Sequence, residues 1–206
     1  HIMSKSSKTN NWVKRHSKDP FVKKSRTDRY RSRAAYKLKS IDEKYDVLKN
    51  VQCVVDLGCA PGSWLQVLKE YSNIREIFGI DVLDLDLIKG VNINTKDIRD
   101  HESLDKIFAE CNIEIDLVLS DIAPNITGIS DIDQSNFAEI AETVQLFCKS
   151  RLKFGGMMVM KYFLGSSFDA TVDSLRNNFK KINVFKPSSS KKKSNEVYLV
   201  CIDFKA

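Results

Sequence analysis

The sequence predicts an α/β fold in which a mostly parallel, seven-stranded sheet carries helices on both faces. Three observations carry that expectation. Short apolar runs rich in β-formers alternate along the chain with amphipathic stretches of helical period. One run, inside VVDLGCAPGSW at residues 54–64, breaks into a turn punctuated by glycine and proline before a helix opens at Trp64. No apolar run reaches the roughly 18 residues a membrane span needs, and 206 residues with 42% hydrophobic content suit one globular domain.

Residues 1–30 read as a basic arm, with His1-Ile2 a cloning remnant ahead of Met3, and residues 31–206 read as a single domain. Positions 1–40 hold thirteen Lys or Arg against Asp19 and Asp28, a balance of +11, so a net charge of +6 leaves −5 for the rest. Trp12, Phe21, Tyr30 and Tyr36 interleave aromatic faces with those charges, a pattern suited to phosphate contacts and base stacking. A solvated tail is the alternative.

Residues 31–45 predict a helix, with Ala34, Leu38 and Ile41 at helical spacing. Strands follow near 53–57, 76–81, 89–93, 116–121, 156–162, 181–185 and 196–203. Helices fall near 63–72, 101–111, 134–152 and 168–179, with Gly155-Gly156 closing the third of these. A second basic cluster comprises Lys180, Lys181, Lys186 and Lys191 to Lys193, and SSSKKKS at 188–194 is of low complexity. Cys53, Cys59, Cys111, Cys148 and Cys201 form no C-x-x-C pair and read as buried thiols of a reducing compartment. With three histidines, one of them His1, no metal site is expected.

In the 54–64 run, Gly58 and Gly62 let a ligand approach the backbone closely at a helix N-terminus. Neither G-x-G-x-x-G nor G-x-x-x-x-G-K-[ST] is present; the spacing is D-x-G-x-x-P-G. Asp81 ends the next β-like run, nineteen positions after Gly62, where α/β folds place the carboxylate that holds ribose hydroxyls. The expected ligand therefore carries a ribose and no pyrophosphate, a description that fits S-adenosylmethionine. A dehydrogenase is disfavoured by the missing fingerprint.

Parallel sheets bind ligands beyond the carboxyl ends of their strands. Asp56, Asp81, Asp121 and Lys161 end the first, second, fourth and fifth strands, and Asp97 follows the third. A lysine at the end of so apolar a strand needs a partner, and Asp121 is the nearest acid, either as a structural ion pair or as part of a site. Lys37 and Glu196 sit at the inner ends of the basic arm and the basic loop, where a bound polyanion would meet them.

RSRAAYKL, VVDLGCAPGSW, LSDIAPNITG, GGMMVMKYF and KPSSSKKKSNEVYLV together, in order and spacing, resemble the FtsJ/RrmJ family of S-adenosylmethionine-dependent RNA ribose 2′-O-methyltransferases. The resemblance implies the Rossmann-like class I methyltransferase fold. It also implies a Lys-Asp-Lys-Glu tetrad at Lys37, Asp121, Lys161 and Glu196. The cofactor pocket it implies uses Gly62 and Trp64, Asp81 for the ribose, Asp97 for the adenine amino group, and Asp121 near the methionine end. Asp56 is left to order the loop or to meet the ligand's amino group through water. Cys59 departs from the family, whose members often carry alanine there.

By the same resemblance Lys161 is the expected base for removing the ribose proton, oriented by Asp121, while Lys37 steadies the developing alkoxide and Glu196 positions Lys37 or the ribose. S-adenosylhomocysteine is the expected product. A uridine of large-subunit ribosomal RNA is the first expected acceptor, on free RNA or the ribosomal subunit. A tRNA anticodon loop, and a non-catalytic RNA-binding assembly factor that keeps the pocket, are the alternatives. The expected protein is intracellular and monomeric, without membrane attachment, in bacterial cytoplasm or in a mitochondrion or other organelle.

Overall fold

The computed structural model describes residues 19–109, 113–190 and 194–205. In chain order its elements are α1 (Pro20–Thr27), α2 (Ala35–Tyr45), β1 (Cys53–Leu57), α3 (Ser63–Leu68), β2 (Glu76–Asp81) and β3 (Asn92–Thr95). Next come α4 (His101–Ala109), β4 (Ile115–Ser120), α5 (Ser130–Arg151), β5 (Leu152–Phe163), α6 (Phe168–Arg176), β6 (Phe179–Phe185) and β7 (Glu196–Phe204). The seven strands form one sheet in the order β3-β2-β1-β4-β5-β7-β6, so the expected α/β architecture is present.

Every pairing is parallel except those of β7, which runs antiparallel between β5 and β6. The strand order reverses between β1 and β4, and the crevice beyond their carboxyl ends is where such a sheet accepts a ligand. Because β7 runs the other way, its first residue, Glu196, reaches that same edge and pairs with Phe163 at the end of β5.

Helices α2 and α3 cover one face and α4, α5 and α6 the other. Strand side chains alternate between the two cores. Val55, Leu57, Val118, Met160 and Leu199 join Leu104, Phe137 and Leu175 of α4, α5 and α6, while Val54, Leu119, Val159 and Val200 join Leu38, Ile41 and Leu65 of α2 and α3. Among the described residues no helix is long and apolar enough to cross a membrane.

Several boundaries differ from expectation for physical reasons. The helix α1 was not anticipated; its signal is Asp19-Pro20, with the Asp19 carboxylate accepting from Phe21 N and proline in the first turn. The Gly155-Gly156 pair does not close a helix. Helix α5 stops at Arg151, β5 begins at once, and the register jumps from Ile115↔Leu152 to Leu117↔Met157, so residues 153–156 bulge out with Gly155 at φ +75°. Gly90, at φ +76°, likewise turns the chain before β3, which therefore starts at Asn92. Trp12, Cys111 and Lys191 to Lys193 lie outside the described residues, as does the arm up to residue 18.

Asp116 ties the far edge of the sheet. Its Oδ2 accepts from Gln52 N at 2.5 Å and Cys53 N at 2.8 Å, and Oδ1 pairs with Lys153 on the bulge. Burial alone would raise its carboxyl, but Lys153 and the two N–H donors outweigh this and hold it below its ordinary value. A carboxyl lowered on folding contributes stability that is complete above its unfolded value of about 4 and is lost as pH falls through the folded value. Asp116→Ala is expected to cost about 1–3 kcal/mol in urea unfolding at neutral pH, because one buried and one part-buried N–H lose their acceptor, and to remove this part of the acid destabilisation.

Candidate active site

The loop after β1 is built around two backbone positions that only glycine takes freely. Gly58 has φ +73°, and a Cβ there would lie 2.2 Å from Ile122 Cγ1, so the loops after β1 and β4 touch at this point. Gly62, at φ +104°, caps α3 beneath the Arg31 guanidinium. Asp81 knots the loop to the end of β2: its Oδ2 accepts from Ala60 N and its Oδ1 from Leu83 N, each at 2.8 Å.

Alternation explains what lines this edge. Asp56 shares its side of the sheet with Val54, Asp81 with Ile77, Lys161 with Val159, and Glu196 with Tyr198 and Val200, all on the α2 side. Asp121 follows β4 in step with Leu117 and Leu119. From α2 itself comes Lys37, one turn from Ile41.

The four residues of the expected tetrad form two buried ion pairs. Lys161 Nζ lies 3.1 Å from Asp121 Oδ1 and donates to the Asp121 carbonyl at 2.8 Å; Lys37 Nζ lies 2.8 Å from Glu196 Oε1. Tyr198, which sequence reasoning missed, joins the pairs. Its hydroxyl donates to Asp121 Oδ1, and Lys37 Nζ stands 5.7 Å over its ring. Burial, then the charges of Asp121 and Glu196, hold the phenol far above its ordinary range, so it remains a donor. The signal for it was its place two residues after Glu196, on the same side of a strand.

Ser190 was also missed, read as part of a low-complexity stretch. It is buried, and its Oγ donates to Glu196 Oε1 at 2.8 Å while Ser194 Oγ accepts from Glu196 N at 3.1 Å. Burial would raise the Glu196 carboxyl, but Lys37 and Ser190 outweigh it and hold it below its ordinary value.

Beside the ion pairs opens a cleft of about 610 Å³, lined by Gly58, Asp81, Asp97, Asp121, Ile122 and Ile140 among others. Both carboxylate oxygens of Asp97 are engaged by Arg99, at 3.0 Å from Nε and 2.6 Å from Nη2, which holds this carboxyl low. Asp56 and Trp64 border a smaller recess that Asp121 shares. Trp64 is chiefly a core residue: its Nε1 donates to the Ala34 carbonyl at 2.8 Å and its ring lies 5.9 Å from that of Tyr198. Neither Gly62 nor Trp64 lines the main cleft.

Among the described residues, the aromatic side chains read as stacking surfaces, Phe21, Tyr30 and Tyr36, are already occupied. Phe21 and Tyr30 pack on Tyr36 at 5.6 and 5.7 Å, and Lys24 and Lys39 stand over the Tyr36 and Tyr30 rings. Lys23, Lys24, Arg26 and Arg29 remain exposed, so α1 offers charge rather than faces.

A family described as FtsJ-like methyltransferase matches residues 30–204. The chain is 41% identical over 191 residues to a protein of Methylobacillus flagellatus named ribosomal RNA large subunit methyltransferase E, covering 92% of each chain. It is 40% identical to one of the same name from Pelagibacter ubique, over 97% of this chain and 98% of the relative. A crystal structure described as a ribosomal RNA methyltransferase from Plasmodium falciparum superposes with a TM-score of 0.75 at 34% identity, covering 85% of this chain and 98% of that one. With its mostly parallel sheet, its cleft bearing carboxylates and its paired lysines, the chain belongs to the FtsJ-like methyltransferase family.

Proposed function

We propose that this protein transfers a methyl group from S-adenosylmethionine to a ribose 2′-hydroxyl of large-subunit ribosomal RNA. The observation that carries the reading is the pair of ion pairs with buried lysines, Lys161–Asp121 and Lys37–Glu196, the first of which shares Asp121 with the cleft. The relatives' names support the RNA, and the exposed cations of α1 support binding of a polyanion.

The cleft suits the cofactor. Its volume lies in the range of small-molecule sites, and its polar wall includes the carboxylates of Asp81, Asp97 and Asp121, acceptors for hydroxyls and amino groups, set against the apolar Ile98, Ile122 and Ile140. In this reading Asp81 takes the ribose hydroxyls, Asp97, released from Arg99, the adenine amino group, and Asp121 and Asp56 the methionine end. The backbone of Gly58 and Gly62 shapes the approach, with Trp64 beneath it. When bound, S-adenosylmethionine supplies an electrophilic methyl carbon on its sulfonium.

Lys161 takes the ribose proton. An uncharged amine has two N–H bonds and one lone pair, and the Asp121 carbonyl and carboxylate accept both N–H bonds, so the lone pair is what remains for the substrate. Tyr198 donates to the same Asp121 oxygen and fixes the orientation of the carboxylate that holds Lys161. Lys37, paired with Glu196, whose carboxyl is held below its ordinary value, stabilises the alkoxide as it forms. Ser190 holds Glu196 in that pairing as a positioning residue.

Lys161→Ala is expected to reduce methyl incorporation into large-subunit ribosomal RNA by at least about a hundredfold while S-adenosylhomocysteine binding stays within about threefold. Labelled cofactor and calorimetry measure the two. Turnover by that variant would remove Lys161 as the base, and incorporation into tRNA in preference to ribosomal RNA would overturn the acceptor. Ser190→Ala should lower kcat about fivefold with KM for RNA little changed, because one hydrogen bond to the charged Glu196 is lost. Ser190→Thr, which restores the hydroxyl, should recover most of it.

A further inference from the structure

Among the described residues, two buried polar groups at this edge have an atom without a hydrogen-bond partner, the Ser120 hydroxyl that ends β4 and the Asp56 carboxyl, and of the two only Asp56 can carry a charge. It closes β1 with 1% of its surface exposed, and its Oδ1 has no hydrogen-bond partner. It borders a recess of about 20 Å³, room for one water-sized group, shared with Ser63, Trp64 and Asp121.

The charges bearing on Asp56 from the neighbouring strands are both negative: Asp121 after β4 and Asp81 at the end of β2. Those two have donors. Asp81 accepts two backbone N–H groups, and Asp121 accepts from Lys161 and Tyr198. The Cys59 thiol in the loop, raised by burial and then by Asp56 and Asp81, is neutral. Lys161 on β5 is held by Asp121, and Lys37 on α2 by Glu196. A third carboxylate charge buried among these, with an oxygen lacking any donor, would be costly, and a proton on Asp56 removes the cost. Burial, reinforced by Asp121 and Asp81, pushes this carboxyl well above its ordinary range.

We propose that Asp56 holds a proton in the free protein and releases it to solvent when an α-ammonium group enters the recess, so that Asp56 selects ligands with an amino-acid end over nucleosides without one. The carboxyl O–H bond breaks, its proton passes to the buffer, and the carboxylate left behind pairs with the incoming ammonium, whose own protons are unchanged. Asp56 thereby carries no unpaired buried charge in either state. This inference rests on the cofactor reading above.

The test is calorimetry on the full chain at about pH 6.5, where an α-amino group is charged, in two buffers of different ionisation enthalpy. Two probes are used: S-adenosylhomocysteine, which carries the ammonium, and methylthioadenosine, which lacks it. The expected result is release of about one proton per S-adenosylhomocysteine bound and almost none for methylthioadenosine. Asp56→Asn, close in shape and already neutral, should abolish the release and weaken S-adenosylhomocysteine about tenfold while methylthioadenosine is unaffected. Equal release for the two probes, no release by the unaltered protein, or undiminished release by Asp56→Asn would overturn the proposal. The comparison of the two probes needs no variant, so a folding defect in Asp56→Asn leaves it decisive. Failure of both probes to bind would overturn the cofactor reading and this inference with it, and is distinguished by the absence of binding heat in either buffer.

Discussion

The site depends on one constraint, the two-residue alternation of side chains along strands whose other face is filled with apolar residues. Between β1, β2, β4, β5 and β7, the residues in step with Val54, Ile77, Leu119, Val159 and Val200 face α2 and α3. At the ligand edge those same steps arrive at Asp56, Asp81, Asp121, Lys161 and Glu196. A one-residue slip of any strand would send its polar end residue into the core packed by Phe137, Phe147 and Leu175, where nothing accepts a charge. The apolar register thus fixes the functional register, and the site inherits the stability of the core.

Gathering the charges of Lys37, Lys161, Asp81, Asp121 and Glu196 at one edge creates an electrostatic problem that the fold solves by pairing. Lys161 and Lys37 each take one carboxylate, and Tyr198 and Ser190 supply neutral donors to the same oxygens. Asp81 is satisfied by backbone N–H groups of the loop it orders. Each charge therefore has a specific partner, and each partner fixes an orientation. Asp97 is held differently, by an exposed Arg99 at the open side of the cleft, where a ligand can replace the guanidinium at small cost.

Much of this was legible in the sequence because the signals were local. The seven strands and the acids that end them follow from apolar runs of period two and from the turn chemistry of the loop at 58–62. The departures arise where tertiary contacts decide. Gly155-Gly156 looks like a helix stop, yet the pair serves a bulge that exists only because β4 lies alongside. The serine stretch looks solvated, yet Ser190 is buried by its bond to Glu196, a contact that composition does not encode. Phe21, Tyr30 and Tyr36 carry the composition of a stacking surface, but α1 folds back and they stack on one another. Trp64 sits in the ligand motif and spends its ring and its N–H on the α2 interface.

That interface joins the two halves of the chemistry. The segment between α1 and α2 is stitched to the loop after β1: Arg31 N donates to Gln66 Oε1 at 2.8 Å, Arg31 Nη1 to the Pro61 carbonyl at 2.9 Å, and Ser32 and Ser63 share a hydrogen bond of 2.7 Å. Trp64 completes it at Ala34. Lys37 follows one turn later. On the proposed reading, the helix that presents Lys37 to the acceptor hydroxyl is seated directly on the loop that shapes the donor pocket, and α1 is tied to the start of that helix by the Asp19–Arg33 ion pair. Methyl transfer needs donor and acceptor aligned to a fraction of an ångström, and a rigid contact between the elements holding each meets that need more directly than two independently mobile loops would. On the same reading the exposed cations of α1 have a geometric role beyond attraction, because a polyanion held on α1 would bear on the element that carries Lys37.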